Sequence, residues 1–289
     1  MSEKRLLVTG ASGNLGRRVV ELLLEAQTGP IVAATRTPDK LKEFSERGVT
    51  VRRADFDDSA SLAAAFQDVD RLLMISTDDL SIPGKRIRQH RAAIQAAEAA
   101  GVKQILYTSI VKPTPESPVV VAVDHRATEE AIMETRMGWT FLRNNIYADM
   151  LPQTLSRAIQ MGQLFSAAGD GKTAYVLRED CARAAAAALA SDFEGRRTLD
   201  ITGTEALSQA DLARIASEIS GKPIPYVPLT LDALIQGMVS AGLPRPLAEA
   251  YASFDAGMAQ GYFSGVSSAF EELTGQQPVA VTAFLKAGG

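Results

Sequence analysis

"VTGASGNLG", residues 8–16, is the stretch on which the fold turns. It closes a short apolar run, "RLLVTG" at 5–10, and opens "NLGRRVVELLLEAQ", where Leu15, Val19, Leu22 and Leu23 recur at helical spacing. That is strand, tight turn, helix, with Gly10, Gly13 and Gly16 in the pattern T-G-x-x-G-x-x-G across the turn. Each glycine has a physical task. Gly10 permits the sharp turn, Gly13 lets backbone N–H groups approach a pyrophosphate, and Gly16 allows helix and strand to pack closely. The helix N-terminus adds oriented donors and a dipole that favours an anion.

Taken alone the motif is a weak signal, and its position gives it weight. The same alternation repeats as "IVAAT" and "TPDKLKEFSERG", then "VTVRRADF" and "SASLAAAFQDV", then "RLLMIST" and "IRQHRAAIQAAEAAGV", then "QILYTSI". In the second unit Thr37 is placed to cap a helix and Pro38 suits its first position. Strands rich in Ile, Leu and Val without strict alternation are buried on both faces, so the sheet is expected to be parallel, with helices on either side. "WTFLRNNIY" at 139–147 supplies a sixth strand.

The expected class is α/β: a Rossmann-type doubly wound parallel sheet over 1–150, with a smaller α/β substrate lobe over 151–289. The second lobe contains an Ala-rich helix, "REDCARAAAAALAS", and a late strand, "RTLDITG", able to return to the main sheet. "SQADLARIASEISG" has Ser208 and Asp211 at capping-box spacing and Gly221 at its end. Segment 229–263 carries Leu231, Leu234, Met238, Leu243, Leu247, Tyr251, Phe254 and Met258, read as helical core in preference to a pocket wall.

Composition excludes several function classes. With 34 acidic against 30 basic residues, a net charge of -4 and no basic run, sequence-independent binding to nucleic acid is not expected. The single Cys181 rules out an intramolecular disulfide and multi-cysteine metal sites, and it suits a reducing compartment. No signal peptide and no membrane-spanning apolar run are visible, so a cytoplasmic protein without a membrane partner is expected. Two histidines far apart, His90 and His125, make no metal site, and His90, between Arg88 and Arg91, reads as a helix-surface or cofactor-edge residue. Homodimer formation through the fourth and fifth helices is the base-rate expectation.

The second strand distinguishes between dinucleotides. NAD sites commonly place an acid about twenty residues beyond the glycine turn, where it binds the ribose 2′-hydroxyl. Here "VAATRTPDK" offers Arg36, with Lys40 nearby, and no acid until Asp39. A guanidinium there suits a 2′-phosphate, so NADP(H) is the expected cofactor.

With these residues in view the chain resembles the NmrA-like atypical short-chain dehydrogenase/reductases. It is most similar to the bacterial NAD(P)H:quinone oxidoreductase type 2 and triphenylmethane reductase branch. The matching stretches, "VTGASGNLG", "ADFDDSASLAAAF", "RLLMIST", "AAGVKQILYTS", "TEEAI", "WTFLRNNIYADML", "AAGDGK" and "REDCARAAAAAL", span nearly the whole chain. The resemblance implies that Gly10, Ala11, Ser12, Gly13, Asn14 and Leu15 hold the pyrophosphate and Arg36 the 2′-phosphate. It implies Asp55 and Phe56 on the adenine side and Ser76 and Thr77 beside a ribose. Tyr107, Thr108 and Ser109, with Asn144, Asn145 and Tyr147, are implied near the nicotinamide.

The wider short-chain family uses a Tyr four residues before a Lys, and no tyrosine here has that spacing. The Lys position, four before Glu129 as in related sequences, falls on His125, and the Tyr position falls on Val121. Reduction of a ketone generates an alkoxide that needs a positioned acid. A quinone or a cationic conjugated dye spreads or neutralises the incoming electron pair and demands less.

The expected function is therefore an NADPH-dependent reductase passing hydride to a quinone-like or dye-like acceptor without flavin or metal. His125, Asn144 and Tyr147 are the candidate catalytic residues, and the ordinary pKa range of His125 allows proton donation near neutrality. The alternative is a non-catalytic, NAD(P)-sensing NmrA-like regulator, which the missing pair fits equally well.

Overall fold

A computed structural model describes residues 4–77, 82 and 84–288. The strands, in chain order, are β1 (Leu6–Val8), β2 (Ile31–Thr35), β3 (Thr50–Arg53), β4 (Arg71–Met74), β5 (Gln104–Ile110), β6 (Gly138–Asn144), β7 (Leu164–Ser166), β8 (Lys172–Thr173), β9 (Arg196–Ile201), β10 (Leu207–Ser208) and β11 (Tyr226–Pro228). The helices are α1 (Asn14–Glu25), α2 (Lys42–Glu46), α3 (Ser59–Ala65), α4 (Lys85–Ala99), α5 (Ala122–Met133), α6 (Leu151–Met161), α7 (Arg178–Ala190), α8 (Gln209–Ser220), α9 (Leu231–Ser240), α10 (Arg245–Ala259), α11 (Ala269–Thr274) and α12 (Val281–Lys286). Among the described residues no helix is long and apolar enough to cross a membrane.

Seven strands form one sheet in the order β3-β2-β1-β4-β5-β6-β9. β1 pairs in parallel with both β2 and β4, with Leu7 opposite Val32 on one side and Leu72 on the other. The strand order therefore reverses between β1 and β4, and ligands of such sheets bind outside the carboxyl ends at that switch point. Leu7, Val32, Leu72, Ile105 and Phe141 pack with residues of α3, α4 and α5 in one apolar cluster. The alternate residues Leu6, Val8, Ala33, Leu73 and Leu106 are equally buried and face the other way.

Two compact units emerge from the packing. The first comprises the chain up to Ser109, Asp124–Arg143 and Glu179–Leu199; the second comprises Ile110–Val123, Asn144–Arg178 and the chain from Asp200. A single boundary near residue 150, as the sequence reading draws it, gives way to an interleaved division. The cause lies in strand neighbours: α7 and much of β9 belong with the first unit, far along the chain from the strands they join. Arg71, 2% exposed at the start of β4, shows one such tie. Its guanidinium donates to the carbonyls of Ala188, Leu189 and Phe193 at the C-terminal end of α7, which supplies acceptors with partners they lack within the helix.

In the second unit α6 and α8 enclose an apolar cluster with Leu151, Leu155, Leu212 and Ile215. α8 begins with the capping box of Ser208 and Asp211 and ends at Gly221 in the left-handed conformation. α9 and α10 pair around Ile235, Ala248 and Ala252, so segment 229–263 builds a small core of its own. Tyr251 and Leu231, by contrast, are exposed.

Candidate active site

Backbone geometry at the end of β1 makes an anion cradle. Gly10 adopts φ +60, in the left-handed region that favours glycine. A Cβ on Gly16 would sit 2.4 Å from the Gly10 carbonyl oxygen, whereas one on Gly13 would sit 3.3 Å from it. Gly16 is thus required for the turn to close, and Gly13 leaves the N-terminus of α1 uncovered. The amides of Ala11 and Gly13 are already used, by Ala34 O at 3.1 Å and Gly10 O at 2.9 Å. The donors left for a phosphate are the amides of Ser12, Asn14 and Leu15, ahead of the first helical bond, Arg17 N to Gly13 O. α1 has no side-chain cap and no acid in its first turn, so nothing competes with an incoming anion there.

Ser12 directs its hydroxyl elsewhere. Its Oγ lies 2.8 Å from Thr35 Oγ1, which also accepts from the Thr37 N–H at 3.2 Å. Thr37 accordingly makes no side-chain cap. This bond ties the glycine turn to the end of β2 immediately before Arg36, which is exposed. Arg17 ties α1 to the segment after β2, bonding the Lys40 carbonyl at 3.0 Å and pairing with Glu43.

The end of β4 meets the same turn. Ile75 N–H donates to Thr9 Oγ1 at 2.9 Å, and the Cβ position of Gly10 lies 3.6 Å from Ile75 Cβ. Ser76 N–H donates to Thr108 Oγ1 at 2.9 Å, which brings the ends of β4 and β5 together. Ser109 is 5% exposed, and its Oγ has no partner among the described residues. A buried hydroxyl without a partner costs about 1–3 kcal/mol. The turn, Arg36 and this orphaned hydroxyl together fit a phosphorylated dinucleotide. Asp55 is engaged locally: its carboxylate accepts from Asp57 N–H at 3.1 Å and neighbours Arg53. Phe56 stands edge-on to His90 with ring centroids 6.4 Å apart.

Both histidines depart from the sequence reading. His90, read as a helix-surface or cofactor-edge residue, is fully buried, and His125 is 7% exposed. Arg86 directs a guanidinium N–H toward His125 Nε2 at 3.3 Å, so that nitrogen accepts and Nδ1 carries the hydrogen, donating to Tyr107 Oη at 2.9 Å. Burial first, then the Arg86 charge, pushes the His125 imidazole well below its usual range. It is neutral at physiological pH, which removes it as a proton donor near neutrality. Tyr107 is equally withdrawn: its ring lies in the core beneath the sheet and burial raises its pKa.

Tyr107, His125 and the rest of this network belong to the first unit. The remaining candidates belong to the second. Asn144 donates through Nδ2 to the Tyr147 hydroxyl at 3.1 Å, and the Arg178 guanidinium lies over the Tyr147 ring at 5.2 Å. Asn145 is a clamp: Nδ2 donates to Phe263 O at 2.9 Å and Oδ1 accepts from Ile146 N–H at 2.8 Å. Both ends of its amide are thus engaged within the second unit, and the side chain is 3% exposed. Val121, standing at the Tyr position, is part of the apolar cluster of the second unit.

Sequence reasoning missed Arg86 and Thr128, and with them the burial of His90. A signal was present, because the buried residues of α4 are Arg86, Gln89, His90, Ala93, Ile94 and Ala97, a complete helical core stripe whose first three places are polar. Polar residues in core register need buried partners.

A strand-turn-helix phosphate cradle at the switch point of a parallel sheet defines a dinucleotide-binding protein. A sequence model of the NAD(P)H-binding family matches residues 10–192, and the chain belongs to that family. Quinone oxidoreductase 2 of Escherichia coli is 35% identical over 271 residues, covering 93% of each chain. The crystal structure of NADPH-dependent quinone oxidoreductase from Escherichia coli, complexed with NADPH, superposes with a TM-score of 0.91 at 34% identity over 98% of this chain and 99% of that one. Triphenylmethane reductase of Citrobacter sp., complexed with NADP(H), gives 0.88 at 32% identity over 99% and 100%.

Proposed function

We propose that the chain is an NADPH-dependent reductase of quinone-like or conjugated dye-like acceptors, working by direct hydride transfer without flavin or metal. The observation that carries the reading is the filling of the acid's place: Val121 is buried among apolar side chains and His125 is locked between Tyr107 and Arg86. A reductase so built suits an acceptor that needs no positioned proton donor.

NADPH, when bound, supplies the hydride from its nicotinamide. The chain's own residues bind and orient. Asn14 and Leu15 amides take the pyrophosphate, Arg36 the 2′-phosphate, and Ser109 Oγ acquires the partner that it lacks among the described residues. In the second unit Asn144 and Tyr147 are the polar pair offered to an acceptor oxygen. Asn144 donates to the phenol oxygen, so the phenol's own O–H is directed to another partner. Orientation of two reactants accounts for most of the rate, since a well-aligned pair reacts without a separate encounter step.

Relatives named as quinone oxidoreductase and triphenylmethane reductase support the acceptor class. They favour a reductase over the non-catalytic regulator. Purified protein with NADPH and a panel of benzoquinones, naphthoquinones and triarylmethane dyes, followed at the NADPH absorbance, is expected to show turnover with at least one of them. Tight NADPH binding with no turnover on any acceptor overturns the enzyme reading and favours the regulator.

A further inference from the structure

His90 is a fully buried polar group that the proposed chemistry leaves unused. Thr77 N–H donates to its Nε2 at 3.0 Å, so Nε2 is the acceptor and Nδ1 carries the hydrogen. Nδ1 then donates to Thr128 Oγ1 at 2.8 Å, and the Thr128 hydroxyl donates onward to Asp124 O at 2.7 Å. His90 also stands edge-on to the Tyr107 ring with centroids 5.6 Å apart. The Thr77 hydroxyl, 3.3 Å from Nε2, can donate to the same nitrogen, so every hydrogen here has one consistent direction, and reversing the tautomer would turn Nε2–H against the closer Thr77 N–H. The segment so held, Ile75–Thr77, is the one that abuts the glycine turn.

We infer that His90 is a positioning residue: as the Nδ1–H tautomer, fixed by Thr128, it presents an acceptor to Thr77 N–H and thereby sets the shape of the Ile75–Thr77 segment for NADPH. The inference rests on the NADPH reading above. The ring touches no cofactor itself. It links helix α5, through Thr128, to the loop after β4, so the cofactor side is shaped from beneath by side chains that never leave the core. Each nitrogen has a separate task, and the two tasks can be removed one at a time.

His90→Asn retains a donor near the Nδ1 position and deletes the acceptor for Thr77. His90→Gln places a carboxamide oxygen near the Nε2 position and gives up the bond to Thr128. For His90→Asn the Kd and KM for NADPH are expected to rise about tenfold, the scale of one ordering hydrogen bond, with kcat at saturating NADPH within about twofold of wild type. His90→Gln is expected to keep NADPH affinity within about threefold, a change smaller than one hydrogen bond. A merely structural histidine would lower the Tm of both variants and leave NADPH affinity alike in both.

A second measurement needs no variant: in uniformly 15N-labelled wild-type protein, a scalar coupling across the Thr77 N–H to His90 Nε2 hydrogen bond is expected. NADPH affinity unchanged in His90→Asn, equal losses in both variants, or absence of that coupling overturns the role. Wild-type protein with no affinity for NADPH overturns the functional reading and this inference together, whereas wild-type affinity retained by His90→Asn overturns the positioning role alone.

Discussion

The end of β1 and the ground beneath the ends of β4 and β5 handle polarity in opposite ways, although both belong to the first unit. At the glycine turn the polar groups are backbone amides without side-chain competitors: α1 is uncapped, its first turn has no acid, and Gly13 covers nothing. Beneath β4 and β5 the polar groups are side chains that use one another in two links, Arg86 with His125 and Tyr107, and His90 with Thr128. The first region waits for an anion, and in the second both ring nitrogens of each histidine are engaged before any ligand arrives. Binding and rigidity are thus assigned to different residues.

The sharpest way to break that division is to put side-chain bulk into the turn. Gly16→Ala would place Cβ 2.4 Å from a backbone oxygen that cannot yield without moving the turn. We expect a stability loss of about 2–3 kcal/mol, in the range of overpacking, measured by urea denaturation. NADPH affinity is expected to fall about a hundredfold or more, because the turn and the N-terminus of α1 move apart. Gly13→Ala separates the two effects. Its Cβ contact of 3.3 Å requires only a small adjustment, so stability is nearly kept while phosphate approach is hindered.

Arg36 comes next in size. Losing one charge-assisted contact to a phosphate costs about 1.5–3 kcal/mol, so Arg36→Ala is expected to weaken NADPH about tenfold to a hundredfold. NADH, which lacks the 2′-phosphate, is expected to change less than about twofold, below the scale of one hydrogen bond. Parallel fluorescence titrations with the two nucleotides check this, and equal losses would remove the residue from the 2′-phosphate site.

The two regions also differ in how far the sequence revealed them. Gly10, Gly13 and Gly16 are legible because turn geometry and close approach are local and leave few residue choices. Strands β1 to β6 are legible for a similar reason, their apolar runs being continuous along the chain. His90 and His125 were misplaced because their environments are built from residues distant in sequence: Thr77 and Thr128 for one, Arg86 and Tyr107 for the other. The clamp role of Asn145 was hidden in the same way, since its partner Phe263 lies 118 residues on. The interleaving of the two units was hidden because strand neighbours in a sheet need not be neighbours in sequence. One clue was nonetheless available, the polar first places of the core stripe on α4.

The smallest effect on turnover is expected from pH. Burial, with Arg86 nearby, lowers His90 from 6.5 to about 3, and His125 also lies well below 6.5. Neither imidazole changes charge near neutrality, so kcat should show no histidine limb between about pH 5 and 8, against the limb that an unperturbed imidazole would give. Stability behaves differently. Below pH 6.5 the unfolded chain takes up protons that the folded imidazoles refuse, so stability present at neutral pH is lost progressively as pH falls toward the folded value. For His90 the loss reaches about 3 kcal/mol near pH 4.5, two units below the unfolded value. Asp124 and Asp255, whose carboxyls burial raises, act in the opposite sense, so wild type must be compared with His90→Asn under the same conditions. The stability advantage of wild type over the variant should shrink as pH drops from about 6.5 to about 4.5. An advantage constant across that range would mean that the His90 ring already carries a proton in the folded protein, which would make its Nε2 a donor and contradict the bond from Thr77.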